Sequence, residues 1–378
     1  MSKIEKMIKE LCPKGVKKVK LGDYCSFTRG QNLSSANAVF GNVPVISGGQ
    51  KPSFYHNQAN REEDSIAVAG SGAYAGYVSF WDHPVWIADA FTVEPCDKLL
   101  KKYVYLFLKH NQAKIFRLQK GAGVPHVHGS DLCSFEIPIP PLSIQQEIVS
   151  VLDSFTTLID KMKKEVELRK KQMEVYREKL FTFKDNECDW KEIQEIFNMR
   201  NGYTPSKSKS NYWEGGNVPW FRMEDIRENG HVLSDSILHI TMDGVKNGRL
   251  FPANSFILAT TATIGEHALI IADSLANQQF TNLSIRKSLK EKLLTKFVFH
   301  YLFIVDDWCK NNVNISGFAS VDMGRFKKYM FPIPPLSRQQ EIIRTLDTFE
   351  AYISKLEKLI TLRQKQYEYN REKLLTFE

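Results

Sequence analysis

The sequence contains no Cys-x-x-Cys pair, and no apolar run approaches the ~18 residues a membrane-spanning helix needs. Its six cysteines, Cys12, Cys25, Cys96, Cys133, Cys188 and Cys309, are scattered. That spacing excludes a zinc ribbon or a small disulfide framework and predicts reduced, buried thiols. Residues 1–20 hold seven lysines against two glutamates and no apolar stretch of signal-peptide length. There is no Gly-x-x-x-x-Gly-Lys-Ser/Thr loop and no Asn-Pro-Pro-aromatic or Asp-Pro-Pro-aromatic string. No nuclease-like acidic-x-Lys cluster occurs in both halves. An ATP-driven motor, an amino-methyltransferase centre and a nuclease centre therefore have no sequence support. What is present is a chain of 378 residues, 43% hydrophobic, long enough for two domains with sizeable cores. Its net charge of +8 suits a polyanionic partner.

An internal repeat organises the chain. Segment 138–183 reads PIPPLSIQQEIVSVLDSFTTLIDKMKKEVELRKKQMEVYREKLFTF, and segment 332–377 reads PIPPLSRQQEIIRTLDTFEAYISKLEKLITLRQKQYEYNREKLLTF. They share 27 identities over 46 ungapped positions at an offset of 194, which marks a duplication. The prolines force extended backbone before each copy. Ser143 with Gln146, and Ser337 with Gln340, have the spacing of a capping box. Neither copy then has a Gly or Pro. Apolar residues fall on one seam: Ile148, Leu152, Phe155, Ile159, Met162 and Val166, resuming at Met173, Tyr176 and Leu180. The second seam runs Ile342, Leu346, Phe349, Ile353, Leu356, Ile360, Tyr367 and Leu374. Arg169 interrupts the first and its counterpart Arg363 the second, each a position to fix register or meet a partner. A 3.5-residue period predicts a coiled coil. Each helix of about 40 residues should be about 60 Å long. Pairing them antiparallel gives a pseudo-two-fold molecule with neighbouring termini.

Two less similar regions, 19–137 and 189–331, flank the first helix. Landmarks recur between them. Val43-Pro44 matches Val218-Pro219, Gly76 matches Gly265, Phe91-Thr92 matches Phe280-Thr281, and Lys102-Tyr103-Val104-Tyr105 matches Lys296-Phe297-Val298-Phe299. Short β-branched and aromatic runs, such as 65–75 and 255–264, alternate with Gly, Asn and Ser turns. Helices are expected near 101–119 and 292–311. The pattern is mixed α/β with a twisted sheet.

Two sharper motifs fail on spacing. Gly70, Gly72 and Gly76 do not form Gly-x-Gly-x-x-Gly, and a tight strand turn is the better reading. His126-Val127-His128 lacks a third ligand nearby, so a polar surface loop is expected there and no metal site.

The PIPPL-x-x-QQEI helix start, the REKLF and REKLL helix ends and the 194-residue duplication resemble the specificity subunits of type I restriction–modification systems. So do Gly202-Tyr203-Thr204-Pro205-Ser206, Tyr212-Trp213, Val218-Pro219-Trp220 and Asp225, and so does PVISGGQKPSFYHN at 44–57. The resemblance spans essentially the whole chain. It implies an α/β fold class: two mixed α/β target-recognition domains separated by a long antiparallel two-helix coiled coil. The expected division is a first recognition domain at 1–137, a first helix at 138–184, a second recognition domain at 185–331 and a second helix at 332–378. The implied function is reading a bipartite, asymmetric double-stranded DNA target. The paired helices would dock methyltransferase subunits, two in number, and restriction–translocase subunits would join that core. S-adenosylmethionine, ATP and Mg2+ belong to those partners; this chain is expected to carry no cofactor, metal or catalytic residue. It is expected in the prokaryotic cytoplasm, with no membrane partner. Open alternatives are an orphan or shuffled specificity subunit supporting methylation only, a coiled-coil scaffold without a DNA role, and a chain that is itself the enzyme.

Base readout needs edge donors and acceptors, and phosphate contacts need cations. Half-sites on one DNA face lie about 34 Å apart per helical turn, a span the predicted helices can reach. In the first domain the candidates are Arg29, Gln31, Asn32, Ser47, Gln50 and Lys51. In the second they are Lys207 and Lys209 for phosphates and Arg222, Gln278 and Gln279 for bases. All lie on predicted turns and loops, where binding residues concentrate.

Overall fold

The structure is a computed structural model describing residues 3–121, 123–184, 186–314 and 319–377. The chain divides into two compact units. Unit 1 holds residues 1–164 and 357–378, and unit 2 holds residues 165–356. The two long helices, Leu142–Leu180 and Leu336–Thr376, each contribute one segment to each unit.

In unit 1 a four-stranded antiparallel sheet runs in the order Cys25–Arg29, Ala90–Pro95, Ser65–Ala69, Val78–Trp81. All five residues of Ser65–Ala69 are buried, as suits a continuous apolar strand covered on both faces. A second sheet centres on Val43–Ile46, antiparallel to Phe54–His56 and parallel to Trp86–Ile87. The run expected at 65–75 stops being a strand at Ala69. There the chain turns through Gly76, whose φ is +86° and whose N–H donates to Ala69. The helix expected over 101–119 is broken at Asn111 into Lys101–His110 and Gln112–Phe116. Asn111 ends the first helix by donating from its own side chain to the Phe107 carbonyl at 2.9 Å.

Unit 2 repeats this plan with more strands. Its five-stranded sheet runs Phe197–Asn201, Phe280–Ile285, Ser255–Ala259, His267–Ile270, Val232–Leu233. Its small sheet centres on Val218–Phe221, antiparallel to His239–Ile240 and parallel to Leu275–Ala276. Gly265, at φ +75°, closes the turn back to Ala259 as Gly76 does in unit 1. The long apolar helix Thr295–Asn311 packs on the sheet, close to the expected 292–311.

Each unit buries its helical segments in its own core. In unit 1, Ile144, Ile148 and Leu152 of the first long helix share a cluster with Leu375 near the end of the second. In unit 2, Ile342 and Leu346 near the start of the second share a cluster with Phe181, just past the end of the first. Within each unit the two segments therefore run antiparallel. Ile159 and Ile353 are buried, whereas Phe155 and Phe349 are half-buried. Tyr176 packs on Phe349 of the second helix at 5.3 Å between ring centroids but stays exposed, and the next residue, Arg177, is buried. Arg169 is half-buried, ion-paired with Glu165 at 2.8 Å, and lies over the Tyr352 ring at 5.7 Å. Arg363 donates to Gln366 at 2.7 Å.

The expected capping boxes are not how the helices start. Both helices begin one residue earlier, at Leu142 and Leu336, which puts Ser143 and Ser337 inside the first turn. The first glutamine of the repeated Gln-Gln does the anchoring. Gln145, fully buried, accepts from the Leu100 N–H at 2.9 Å and donates to the Lys98 and Pro140 carbonyls. Gln339 does the same with Leu294, Lys292 and Pro334. Thiol burial also differs from expectation: Cys25 and Cys309 are buried, but Cys96 is exposed. Among the described residues no helix is long and apolar enough to cross a membrane.

Candidate nucleic-acid interfaces

In unit 1 the candidate residues fall on neighbouring turns. Arg29 ends its strand, and Gly30 follows so closely against the backbone that a Cβ there would stand 2.4 Å from the Ile87 and Ala88 carbonyl oxygens. The Gly30 and Gln31 N–H groups donate to Ala90 and Ile87, and the Trp86 indole donates to the Gln31 carbonyl at 2.8 Å. This pins the backbone of 29–32 and leaves the Arg29, Gln31 and Asn32 side chains exposed. Ser47, half-buried, leaves the Val43–Ile46 strand, and Gln50 and Lys51 beyond it are exposed. Gly48 abuts the Ser71 carbonyl. Ser71 hydrogen-bonds the Asp89 carboxylate and bridges to His126. The edge thus extends past the sequence candidates to Ser71, Asp89, Lys120 and the loop at 123–128. There His126 and His128 stack in parallel with ring centroids 6.2 Å apart. Asp131 anchors this loop. Its burial works against the charged form, but the Lys120 ammonium at 2.5 Å and the His128 N–H outweigh it and hold the carboxyl below its usual range.

Unit 2 builds the same kind of edge from other side chains. Gly202 takes the place of Gly30, with a virtual Cβ 2.4 Å from the Ala276 and 2.1 Å from the Asn277 carbonyl oxygens. Gly202 N–H donates to Phe280, Tyr203 N–H to Ala276, and Asn277 N–H to Phe221. The structure so brings Arg222, Gln278 and Gln279 together with Thr204, whose hydroxyl donates to Gln278 at 2.6 Å. Gln278 is exposed. Gln279 is half-buried, its side-chain carbonyl taken by Asn277 at 3.2 Å. Arg222 lies 3.8 Å from Glu224. Lys207 and Lys209 are exposed on the preceding loop, with Lys209 donating to the Tyr212 hydroxyl. Trp213 ties that loop down, donating to the Ser206 carbonyl and packing edge-on against Trp220. Asp225 is fully buried and accepts from the Arg222 and Ile237 N–H groups at 2.7 Å each, a structural part.

Sequence reasoning missed Asp89 and Ser71. Neither sits in a recognisable string; only the shared Gly–carbonyl contact reveals that Asp89 and Gln278 occupy matching places, each one residue beyond the carbonyls that the glycine touches.

Comparison with known proteins agrees with this architecture. The family model for the type I restriction modification DNA specificity domain matches residues 13–168 and 187–364. The chain is 46% identical over 203 residues to the type I restriction enzyme EcoprrI specificity subunit of Escherichia coli, covering 51% of each protein. The chain thus spans about half the length of that relative. It is 33% identical over 309 residues to the EcoR124I/EcoR124II specificity subunit of the same organism, covering 75% of this chain and 73% of that one. Among solved structures, the S subunit of a type I restriction–modification system from M. genitalium matches with a TM-score of 0.59 at 17% identity, covering 95% of this chain and 96% of that one. A chain from a study of complex assembly and conformational transition of the type I R-M system matches with a TM-score of 0.63 at 14% identity, covering 96% of this chain and 98% of that one. These two share the fold. With the family model matching both halves, the chain belongs to the type I restriction–modification DNA specificity family.

Proposed function

We propose that this chain is the sequence-reading subunit of a type I restriction–modification enzyme, binding a bipartite, asymmetric double-stranded DNA target. The observation that carries the reading is a constant scaffold with variable edges. Both units press a glycine onto two carbonyls beside a parallel strand pair, but the polar residues displayed there differ: Arg29, Gln31 and Asp89 in one, Arg222, Gln278 and Gln279 in the other. Two unlike edges read two unlike half-sites, so the target is not a palindrome. Gln reads adenine and Arg reads guanine by paired hydrogen bonds, while Lys207, Lys209 and Lys51 serve phosphates. The chain performs no catalysis. Two methyltransferase subunits dock on it with S-adenosylmethionine, and restriction–translocase subunits bring ATP and Mg2+ chemistry. The complex works in the prokaryotic cytoplasm.

The test is single-molecule mapping of methylated adenine in the host genome with and without this gene. A split motif that disappears on deletion supports the reading and gives the target. If assembly with the neighbouring methyltransferase subunit also yields no sequence preference in vitro, the reading fails.

A further inference from the structure

Unit 2 holds a polar cluster that the recognition edges do not use. His300 lies on the helix Thr295–Asn311, and Asp347 and Glu350 lie one turn apart on the second long helix. One ligand atom from each residue falls within 4.8 Å of the others. His300 is 1% exposed. Its Nε2 faces the Asp347 carboxylate at 3.2 Å, and so carries the ring proton and donates it. That leaves Nδ1 as a bare lone pair. Among the described residues it has no hydrogen-bond partner, and it points toward Glu350 Oε1 at 3.7 Å.

A lone pair facing a carboxylate is repulsive unless a cation lies between them. Two cations lie nearby. Lys296 donates to the other Asp347 oxygen at 2.6 Å, and Arg177 stacks on Phe303 at 4.1 Å in the field of Glu350, Glu174, Asp306 and Asp307. The duplication supplies a control. At the 194-residue offset Lys102 and Asp153 repeat the Lys296–Asp347 pair at 3.6 Å, but positions 106 and 156 are Leu and Thr. The lysine–aspartate pair belongs to the shared scaffold, whereas His300 and Glu350 are additions to it in unit 2.

We propose that His300, Asp347 and Glu350 bind a single divalent transition-metal ion of the zinc type. His300 Nδ1 and Glu350 are the protein ligands, water admitted at the half-buried Glu350 completes the coordination shell, and Asp347 orients the imidazole through Nε2–H and lends its charge, a carboxylate–histidine–metal arrangement. Neutral imidazole with carboxylates selects zinc-like ions over Mg2+ or Ca2+. The ion straps the recognition module of unit 2 to the second long helix, a role unit 1 fills with Leu106 in its apolar core.

The experiment uses the full chain stripped of metal with a chelator and titrated with ZnCl2 by calorimetry, with the melting temperature followed in parallel. One equivalent should bind and raise the melting temperature. His300→Leu puts the unit 1 residue type at the matching position, so it should fold yet bind at least about 100-fold more weakly. Glu350→Gln, at a half-buried site, should behave likewise if the leucine variant proves unstable. Lys296→Met frees an Asp347 oxygen and should tighten binding. If the wild type takes up no more zinc than His300→Leu, the binding belongs to surface histidines such as His126 and His128, and the proposal is overturned. It is equally overturned if zinc leaves the melting temperature of the wild type unchanged.

Discussion

Gln145 and Gln339 show how much one side chain fixes. Each, fully buried, closes three hydrogen bonds, two to backbone groups just before the neighbouring helix and one to the proline carbonyl before its own. Replacing either with Ala strands a buried N–H and two carbonyls, and such groups cost about 1–3 kcal/mol when unmade. Gln145→Ala and Gln339→Ala should each lose about 2 kcal/mol or more in denaturant titrations, whereas Gln146→Ala and Gln340→Ala, at exposed positions, should change little. The thiols give a second prediction at this scale. Burial pushes Cys25 and Cys309 up to about 12 from 9. A group raised in the folded state contributes fully below its unfolded value and is lost as pH climbs. Stability from these sites should therefore hold to about pH 9 and fall toward pH 12. At pH 8 an alkylating reagent should label exposed Cys96 and spare Cys25 and Cys309 until the protein unfolds; equal labelling of all three would contradict the buried geometry.

At the scale of elements, the long helices were legible because periodicity survives without tertiary context. Their duplication, lengths and seam residues Ile148, Leu152, Ile342 and Leu346 all follow from spacing. What spacing hid was Arg177. A charged residue is scored as a surface position, and Tyr176 beside it looked like the seam. The helix also turns Arg177 inward over Phe303, while Tyr176 keeps its seam contact with Phe349 and stays exposed. Likewise the His300 cluster joins residues 47 apart in sequence, 300 and 347, a separation no ligand-spacing rule anticipates. The glutamine clamp was misread as a capping box because both fit the same repeated string. Arg177→Ala should remove a buried guanidinium from the Phe303 ring and leave half-buried Glu350 without its nearby cation, and cost about 2 kcal/mol. Arg371, its counterpart, lies over Tyr367 at 5.4 Å and is less buried, so Arg371→Ala should cost distinctly less. Equal losses in calorimetric unfolding would mean that burial does not set the difference.

For the whole molecule, the division into scaffold and edge predicts that affinity and specificity separate on mutation. Lys207 and Lys209 are exposed and near no base-reading side chain with which they share a hydrogen bond, so their effect is electrostatic. Each phosphate contact releases about 0.9 counterion, so removing both should lower the slope of log affinity against log salt by about 2 and weaken cognate and non-cognate DNA alike. Gln278 is held in place by Thr204 and carries a donor and an acceptor to the edge. Gln278→Ala should relax one base position, at about 1–3 kcal/mol, with the salt slope unchanged. Because Gln278 belongs to unit 2 and the Arg29–Asp89 edge to unit 1, the relaxed base must fall in one half-site while the other is read as before. Assembled with the methyltransferase subunits of the proposed function and assayed by mapping methylated adenine, the Gln278→Ala protein should show a motif degenerate at one position of one half. Degeneracy in both halves would mean that the edges do not read independently.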